Sequence, residues 1–406
     1  MIKITDKKKC CGCGGCAQAC PHHCIKMVED EEGFLYPKVD ETLCVDCGLC
    51  DKVCPCLNEL NLQPSLKKTF ALKEHDASRI KSSSGGAFAS MARYVISRGG
   101  LVYGVALNAQ KDVVHICIEK ECYIDKLRGS KYAQSDLGNT YTDIKKQLKD
   151  GRLVLFSGVS CQVKGLRAFL KKDFDNLLTA EILCHGVSSP GIYKKYLDEV
   201  CEEYNINIDG MENVFFRNPK IWKEFILSIG LKDGRILQGP CNNSFMKGFS
   251  SNLIVRPSCF DCQAKCLKAG SDVLLGDFWC LEYVDSEFVD NKGVSLVIAN
   301  TEKGLKLVNS IESEVKEFKY ETALLGNRNI EHSQKWPGKR NEFFSALKEN
   351  NNYTSTIIEY TQVRLTIVQK IRHYVASVFK VLGLSRFVEY IRDRIQRRLY
   401  FSGKLD

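Results

Sequence analysis

Two copies of one cysteine spacing constrain this chain more than any other feature. Cys10, Cys13, Cys16 and Cys20-Pro21 read C-x2-C-x2-C-x3-C-P, and Cys44, Cys47, Cys50 and Cys54-Pro55 repeat the pattern without deviation. Three cysteines at i, i+3 and i+6 in a glycine-rich loop can aim their sulfurs at three corners of one iron-sulfur cube, while the fourth faces the neighbouring cube. Cys10, Cys13, Cys16 and Cys54 are therefore expected to hold one 4Fe-4S cluster, and Cys44, Cys47, Cys50 and Cys20 a second. Zinc is the alternative, but paired four-cysteine zinc sites are built from two C-x2-C pairs and a longer spacer. Cys11, Cys24 and Cys56 are surplus and are expected to line the site without ligating.

Eleven of the 21 cysteines lie between Cys10 and Cys56. A chain of 406 residues with this usage and no apolar leader reads as a cytoplasmic redox or metal protein, not a secreted disulfide framework. No run reaches the roughly 18 apolar residues of a membrane span. The net charge of +9 is concentrated in the tail, where Thr361 to Asp406 carries ten Lys or Arg against three acids. The nearly balanced remainder argues against a nucleic-acid partner, which would need a basic stripe over a folded domain.

Four segments follow. Residues 1–60 form a double 4Fe-4S ferredoxin-type domain in which each half reads as a small hairpin with helical turns. It is too small for an apolar core and must be held by its clusters. Residues 66–150 and 151–345 alternate strand-like and helix-like runs, the signature of an α/β body with a largely parallel or mixed sheet. Residues 361–406 place Val363, Ile367, Ile371, Val375, Phe379 and Leu382 at helical spacing with basic residues between them. This amphipathic tail suits docking onto protein or an anionic membrane surface at the inner face of the membrane.

Two cubes in one small domain make a relay, so an acceptor is expected in the body. Cys161 follows a strand at Leu153 to Phe156 and a loop, Ser157-Gly158-Val159-Ser160. That places it at a helix start, where the dipole favours a thiolate. Cys184-His185-Gly186 ends the next strand, so both thiols should open at the carboxyl edge of the sheet. With Cys259 and Cys262 they offer four ligands for a third cluster, and Cys266 lies just beyond.

The stretches Lys81 to Gly86, Arg128 to Ser135, Gly158 to Gln162, Cys184 to Val187, Arg256 to Cys259 and Gly276 to Trp279, in that order, resemble the coenzyme F420 hydrogenase/dehydrogenase beta-subunit family, in its branch with N-terminal ferredoxin motifs. The resemblance covers roughly residues 5 to 345. It departs at Ser160, where the family often has proline, at Cys280, where glycine usually follows the tryptophan, and at the extra thiol of Cys266. It implies an FAD-containing oxidoreductase fed by iron-sulfur clusters, with a reduced ferredoxin or another redox protein as partner and an organic small molecule as substrate. A flavin also has a chemical rationale, because single electrons drive a two-electron organic reaction only through such a carrier. For its phosphates, Ser82, Ser83, Ser84, Gly85 and Gly86 precede a helix, Arg128 and Lys131 supply charge, and Ser130 and Gln162 lie in the matching stretches. His185 is placed to protonate a substrate. Two other readings stand beside this one: an electron-transfer subunit of a larger complex, associated with polysaccharide biosynthesis, and a nucleophilic enzyme using Cys161 and His185 with purely structural clusters.

Overall fold

The computed structural model describes residues 1–58, 60, 62–217, 222, 225–238 and 240–361. Met1 to Tyr360 form one compact unit. The amphipathic pattern expected beyond Thr361 lies outside the described residues. Among the described residues no helix is long and apolar enough to cross a membrane.

The cysteine-rich segment has one hairpin, not two. β1 (Ile25–Glu29) comes from the first copy and pairs antiparallel with β2 (Leu35–Val39) leading into the second. The Asp30 carboxylate accepts from the amides of Glu32 and Phe34, and Gly33 takes φ +79°, which closes the turn. Each motif ends in a single helical turn, Gly15–Gln18 and Leu49–Lys52, capped by a left-handed glycine, Gly14 or Gly48. The interior is built from Ile2, Ile25 and the thiols of Cys16, Cys20, Cys24, Cys50 and Cys54.

The remaining strands of the body are β3 (Lys68–Lys73), β4 (Leu101–Leu107), β5 (Val113–Ile118), β6 (Val154–Val159), β7 (Leu177–Ile182), β8 (Met211–Phe215), β9 (Ser228–Leu231), β10 (Ile236–Gln238), β11 (Val273–Asp277), β12 (Ser295–Ala299) and β13 (Glu314–Phe318). Eight of them form one sheet in the order β13-β3-β12-β11-β7-β6-β4-β5. It is mixed: β4, β6, β7 and β11 run parallel, and the outer pairs are antiparallel. The central strands are buried on both faces, as a helix-covered sheet requires. Leu155 of β6 packs with the helix Ala87–Ile96, while its neighbours Val154 and Phe156 pack with Thr140–Lys149 and Ser160–Leu170. β8, β9 and β10 form a separate antiparallel sheet against the helices Pro190–Tyr204 and Pro240–Ser250.

The expected loop at Ser157 to Ser160 is absent. β6 continues to Val159 and the helix begins at Ser160, because Gln162 Oε1 accepts from the Val159 amide (3.1 Å) and makes the strand-to-helix turn without intervening residues.

Candidate functional site

The two motifs converge as their spacing requires. One small cavity is walled by Cys10, Cys13, Cys16 and Cys54, with Cys11 and Cys56 beside them. A second is walled by Cys44, Cys47, Cys50 and Cys20, with Cys24 beside them. The first wall has no carboxylate or imidazole, and the second gains a backbone donor in the Ile2 amide, 3.3 Å from Cys50 Sγ. Four thiols around each cavity fit iron-sulfur cubes, although His22 and Asp46 also reach the second wall.

Arg256, with no exposed surface, joins the first motif to the body. Its guanidinium donates to Cys10 O (2.8 Å), Gln134 Oε1 (2.9 Å) and Leu35 O (3.0 Å), lies 3.7 Å from Cys10 Sγ and stacks over Tyr36. Gln134 Nε2 donates in turn to Cys11 O. Arg340, also buried, makes a two-pronged bond to Glu32 at 2.6 and 2.7 Å and fixes the hairpin turn. At Gly165 a Cβ would sit 2.9 Å from that of Cys13, so only glycine lets this helix approach the first cube's loop.

Cys161, Cys184, Cys259 and Cys262 gather beyond this contact. The hydrogen bond to Cys11 raises the Cys161 thiol well above its ordinary range, and burial and the neighbouring Cys262 and Cys259 add to this. Burial likewise pushes Cys184 up to about 11, with Cys262 contributing. The Cys259 side chain approaches Gly186, where a Cβ would stand 3.5 Å from it. Cys266 is exposed, and its Sγ bonds Glu331 O.

At Cys161 the Cys11 hydrogen bond and burial therefore work against the helix dipole that favours a thiolate there. The Cys161 and His185 pairing is not formed. His185 Nε2 meets Asn252 Oδ1 at 2.7 Å, and the ring packs on Phe249. Cys161 bonds Cys11 and His185 bonds Asn252, so the structure does not show the thiol–imidazole hydrogen bond that the nucleophilic reading needs.

A cavity of about 420 Å³ opens at the carboxyl edge of the parallel strands. Gly104 and Val105 of β4, Ser157 to Val159 of β6, Ile182 to Val187 after β7, and Leu275 to Asp277 of β11 line it. Ser82, Ser83, Ser84 and Gly86 form one end, and Ser130 Oγ donates to Ser83 Oγ. Gly85 stands behind this wall, where its missing Cβ admits Leu72 O and the Ser295 backbone. Arg128 and Lys131 line the cavity but are already engaged. Arg128 binds Ser78 O, Ser82 Oγ and Asp125, while Lys131 Nζ donates to four carbonyls, those of Val105, Lys126, Leu127 and Arg128. They organise the loops around the cavity. Gln162, nearly fully buried, donates to Ser135 Oγ.

At the other end stand residues that sequence reasoning left unassigned. Trp222 stacks on Trp279 at 5.0 Å, Trp222 Nε1 and Arg217 both bond Asp277, and Tyr132 packs on Phe249. Asn327 is buried at the wall, and its Nδ2 has no partner. The Gly276 to Trp279 stretch pointed here, because it closes a strand at the same edge as Cys184.

Glu181, on β7, is buried, and the Ser160 and Ser271 hydroxyls approach its carboxylate without well-formed hydrogen bonds. Burial lifts its carboxyl from the ordinary 4.5 to about 7, only partly offset by Ser160, Ser271 and Lys265. The folded state therefore holds this proton more tightly than the unfolded chain, and stability falls as pH rises from about 4.5 to 7. Glu181→Gln should raise the thermal midpoint by several degrees at pH 8, recovering about 1–3 kcal/mol, and change it little at pH 4.5. Melting curves at the two pH values check this.

Residues 151–322 match the family described as the C terminus of the coenzyme F420 hydrogenase/dehydrogenase beta subunit, and residues 9–58 match the "4Fe-4S dicluster domain". Residues 151–322 belong to that beta-subunit family. The preceding dicluster domain binds 4Fe-4S clusters. A coenzyme F420-dependent sulfite reductase of Methanocaldococcus jannaschii is 24% identical over 363 residues, 87% of this chain and 53% of the relative, so the chain spans about half of that protein's length. A ferredoxin from the same organism is 38% identical over 52 residues, 13% of this chain and 66% of the ferredoxin. A chain of the F420-reducing NiFe hydrogenase complex from Methanosarcina barkeri aligns over 75% of this chain and 94% of its own length, at TM-score 0.43 and 14% identity.

Proposed function

We propose that the chain is an iron-sulfur flavoprotein oxidoreductase that moves electrons between a redox partner and an organic substrate. One observation carries this reading. Cys184 belongs to the four-thiol group on one side and lines the strand-edge cavity on the other, so electron carriers and substrate cavity meet at a single residue. Cys10, Cys13, Cys16 and Cys54 hold one cube, Cys44, Cys47, Cys50 and Cys20 the second, and Cys161, Cys184, Cys259 and Cys262 a third. FAD in the cavity would supply the conversion between one-electron and two-electron chemistry. Several features of the wall suit it: the Ser82 to Ser84 hydroxyls, the open space at Gly129, the aromatic faces of Tyr132 and Phe249, and the unpartnered Asn327 amide.

His185 is held by Asn252 for orientation, and burial lowers its pKa, so it is neutral near pH 7. In that state it donates one proton and accepts at the other nitrogen. The sulfite reductase relative favours coenzyme F420 as the organic partner. Its greater length favours the second reading, in which this chain is the electron-handling part of a larger assembly.

Oxygen-free purification with iron, sulfide and flavin analysis tests the proposal. The expected result is about twelve irons and about one FAD per chain. A colourless protein overturns the reading, and iron without flavin removes the two-electron step.

A further inference from the structure

The two cysteine motifs are equal in sequence and unequal in surroundings. In the first copy, Cys10 O and Cys11 O accept from Arg256 and Gln134, and a Cβ at Gly12 would lie 2.8 Å from both side chains. Cys13 is only 8% exposed. This face of the loop is the seam with the body. In the second copy, Leu43, Val45, Asp46 and Cys47 stand where the first has Lys9, Cys11, Gly12 and Cys13. Here Leu43 is 54% and Val45 62% exposed, Cys47 is exposed, and nothing comes within 4 Å of a Cβ at Gly48. The repeat thus presents the same face twice, once packed against a protein and once bare.

The bare face is also anionic. Asp40, Glu41 and Asp46 surround Leu43 and Val45, and no Lys or Arg occurs between Val39 and Asp51. The Met1 amine pairs with Asp46 and Asp51 at the edge.

We propose that the Asp40 to Cys47 loop docks a one-electron carrier protein whose exposed redox centre is ringed by lysine or arginine. Leu43 and Val45 would form the apolar centre of the contact, and the three carboxylates its rim. Beside the Met1 amine, the partner would set a further cation against this loop, as Arg256 does against the first copy. In each encounter one electron crosses between the cube held by Cys44, Cys47, Cys50 and Cys20 and the partner's centre. One is oxidised as the other is reduced, and no bond changes. This rests on the reading of that motif as a cluster site.

The test uses the full chain, prepared without oxygen, and oxidised cytochrome c, a basic one-electron carrier, as the probe. Calorimetry at low ionic strength measures binding, and stopped-flow spectroscopy follows haem reduction by dithionite-reduced protein after the excess reductant is removed. Wild type should bind and react quickly, and both should weaken steeply as salt rises. The double variant Glu41→Lys with Leu43→Lys should lose about tenfold in binding and rate at low salt, with iron, sulfide and EPR signals unchanged. Glu317→Lys, on β13, should behave as wild type. Equal loss in the β13 variant, or no loss in the loop variant, overturns the proposal. So does faster reaction in the loop variant, because the basic tail would then be the occupant released by charge reversal. Low iron in wild type would instead refute the underlying cluster assignment.

Discussion

Replacing Cys259 and Cys262 together by serine should lower the iron content from about twelve to about eight per chain and leave the EPR signals of the two N-terminal cubes in place. The effect is large because a cube that loses two of four thiolates is not retained. It is separable because the other eight thiols sit in their own cavities. The same replacement should cost stability, since burial places these side chains among Cys161 and Cys184. Iron and sulfide counts, read beside a melting curve, decide the matter. A count of about eight in both wild type and variant would mean that the gathered thiols are structural and that the relay ends at the dicluster domain.

Arg256→Met should weaken the protein by about 3–5 kcal/mol and shift the first cube's reduction potential to more negative values. Both follow from one geometry. The guanidinium has no exposed surface and satisfies Cys10 O, Gln134 Oε1 and Leu35 O, and methionine leaves all three acceptors buried and unbonded. Its charge also lies against Cys10 Sγ, where it favours the more negative, reduced cluster. Arg256→Lys keeps the charge and loses the fork, so it should restore much of the potential but less of the stability. Chemical denaturation reads the first effect and an EPR-monitored redox titration the second. A potential unmoved in the methionine variant would show that Arg256 only fastens the domain.

Much of this molecule was legible before its fold was known, for identifiable reasons. The cysteine spacing is local, and seven residues of turn and helix suffice to bring three sulfurs to one side, so the grouping of each motif around its own cavity could be expected from the chain alone. The placement of Cys161 and Cys184 after consecutive strands was also readable, because β6 and β7 are parallel neighbours. What spacing left out was electrostatic. A helix start suggested a thiolate at Cys161, but Cys11, Cys259 and Cys262 arrive from distant segments and raise it. In the same way Arg128 and Lys131 read as free charges for phosphates. In the structure they are taken by Asp125, Ser78 and four backbone carbonyls, partners that spacing could not announce.

The sequence by itself determined the two cysteine motifs that wall the N-terminal cavities and the α/β character of the body. Both are written in short-range periodicity, and the chain geometry that expresses them spans a few residues. Only the tertiary structure decided that Cys184 is shared between the thiol group and the cavity, that Arg256 closes over the first motif, and that the second motif is left bare. Those facts depend on contacts between segments up to some 246 positions apart, and sequence spacing carries no distance information at that range.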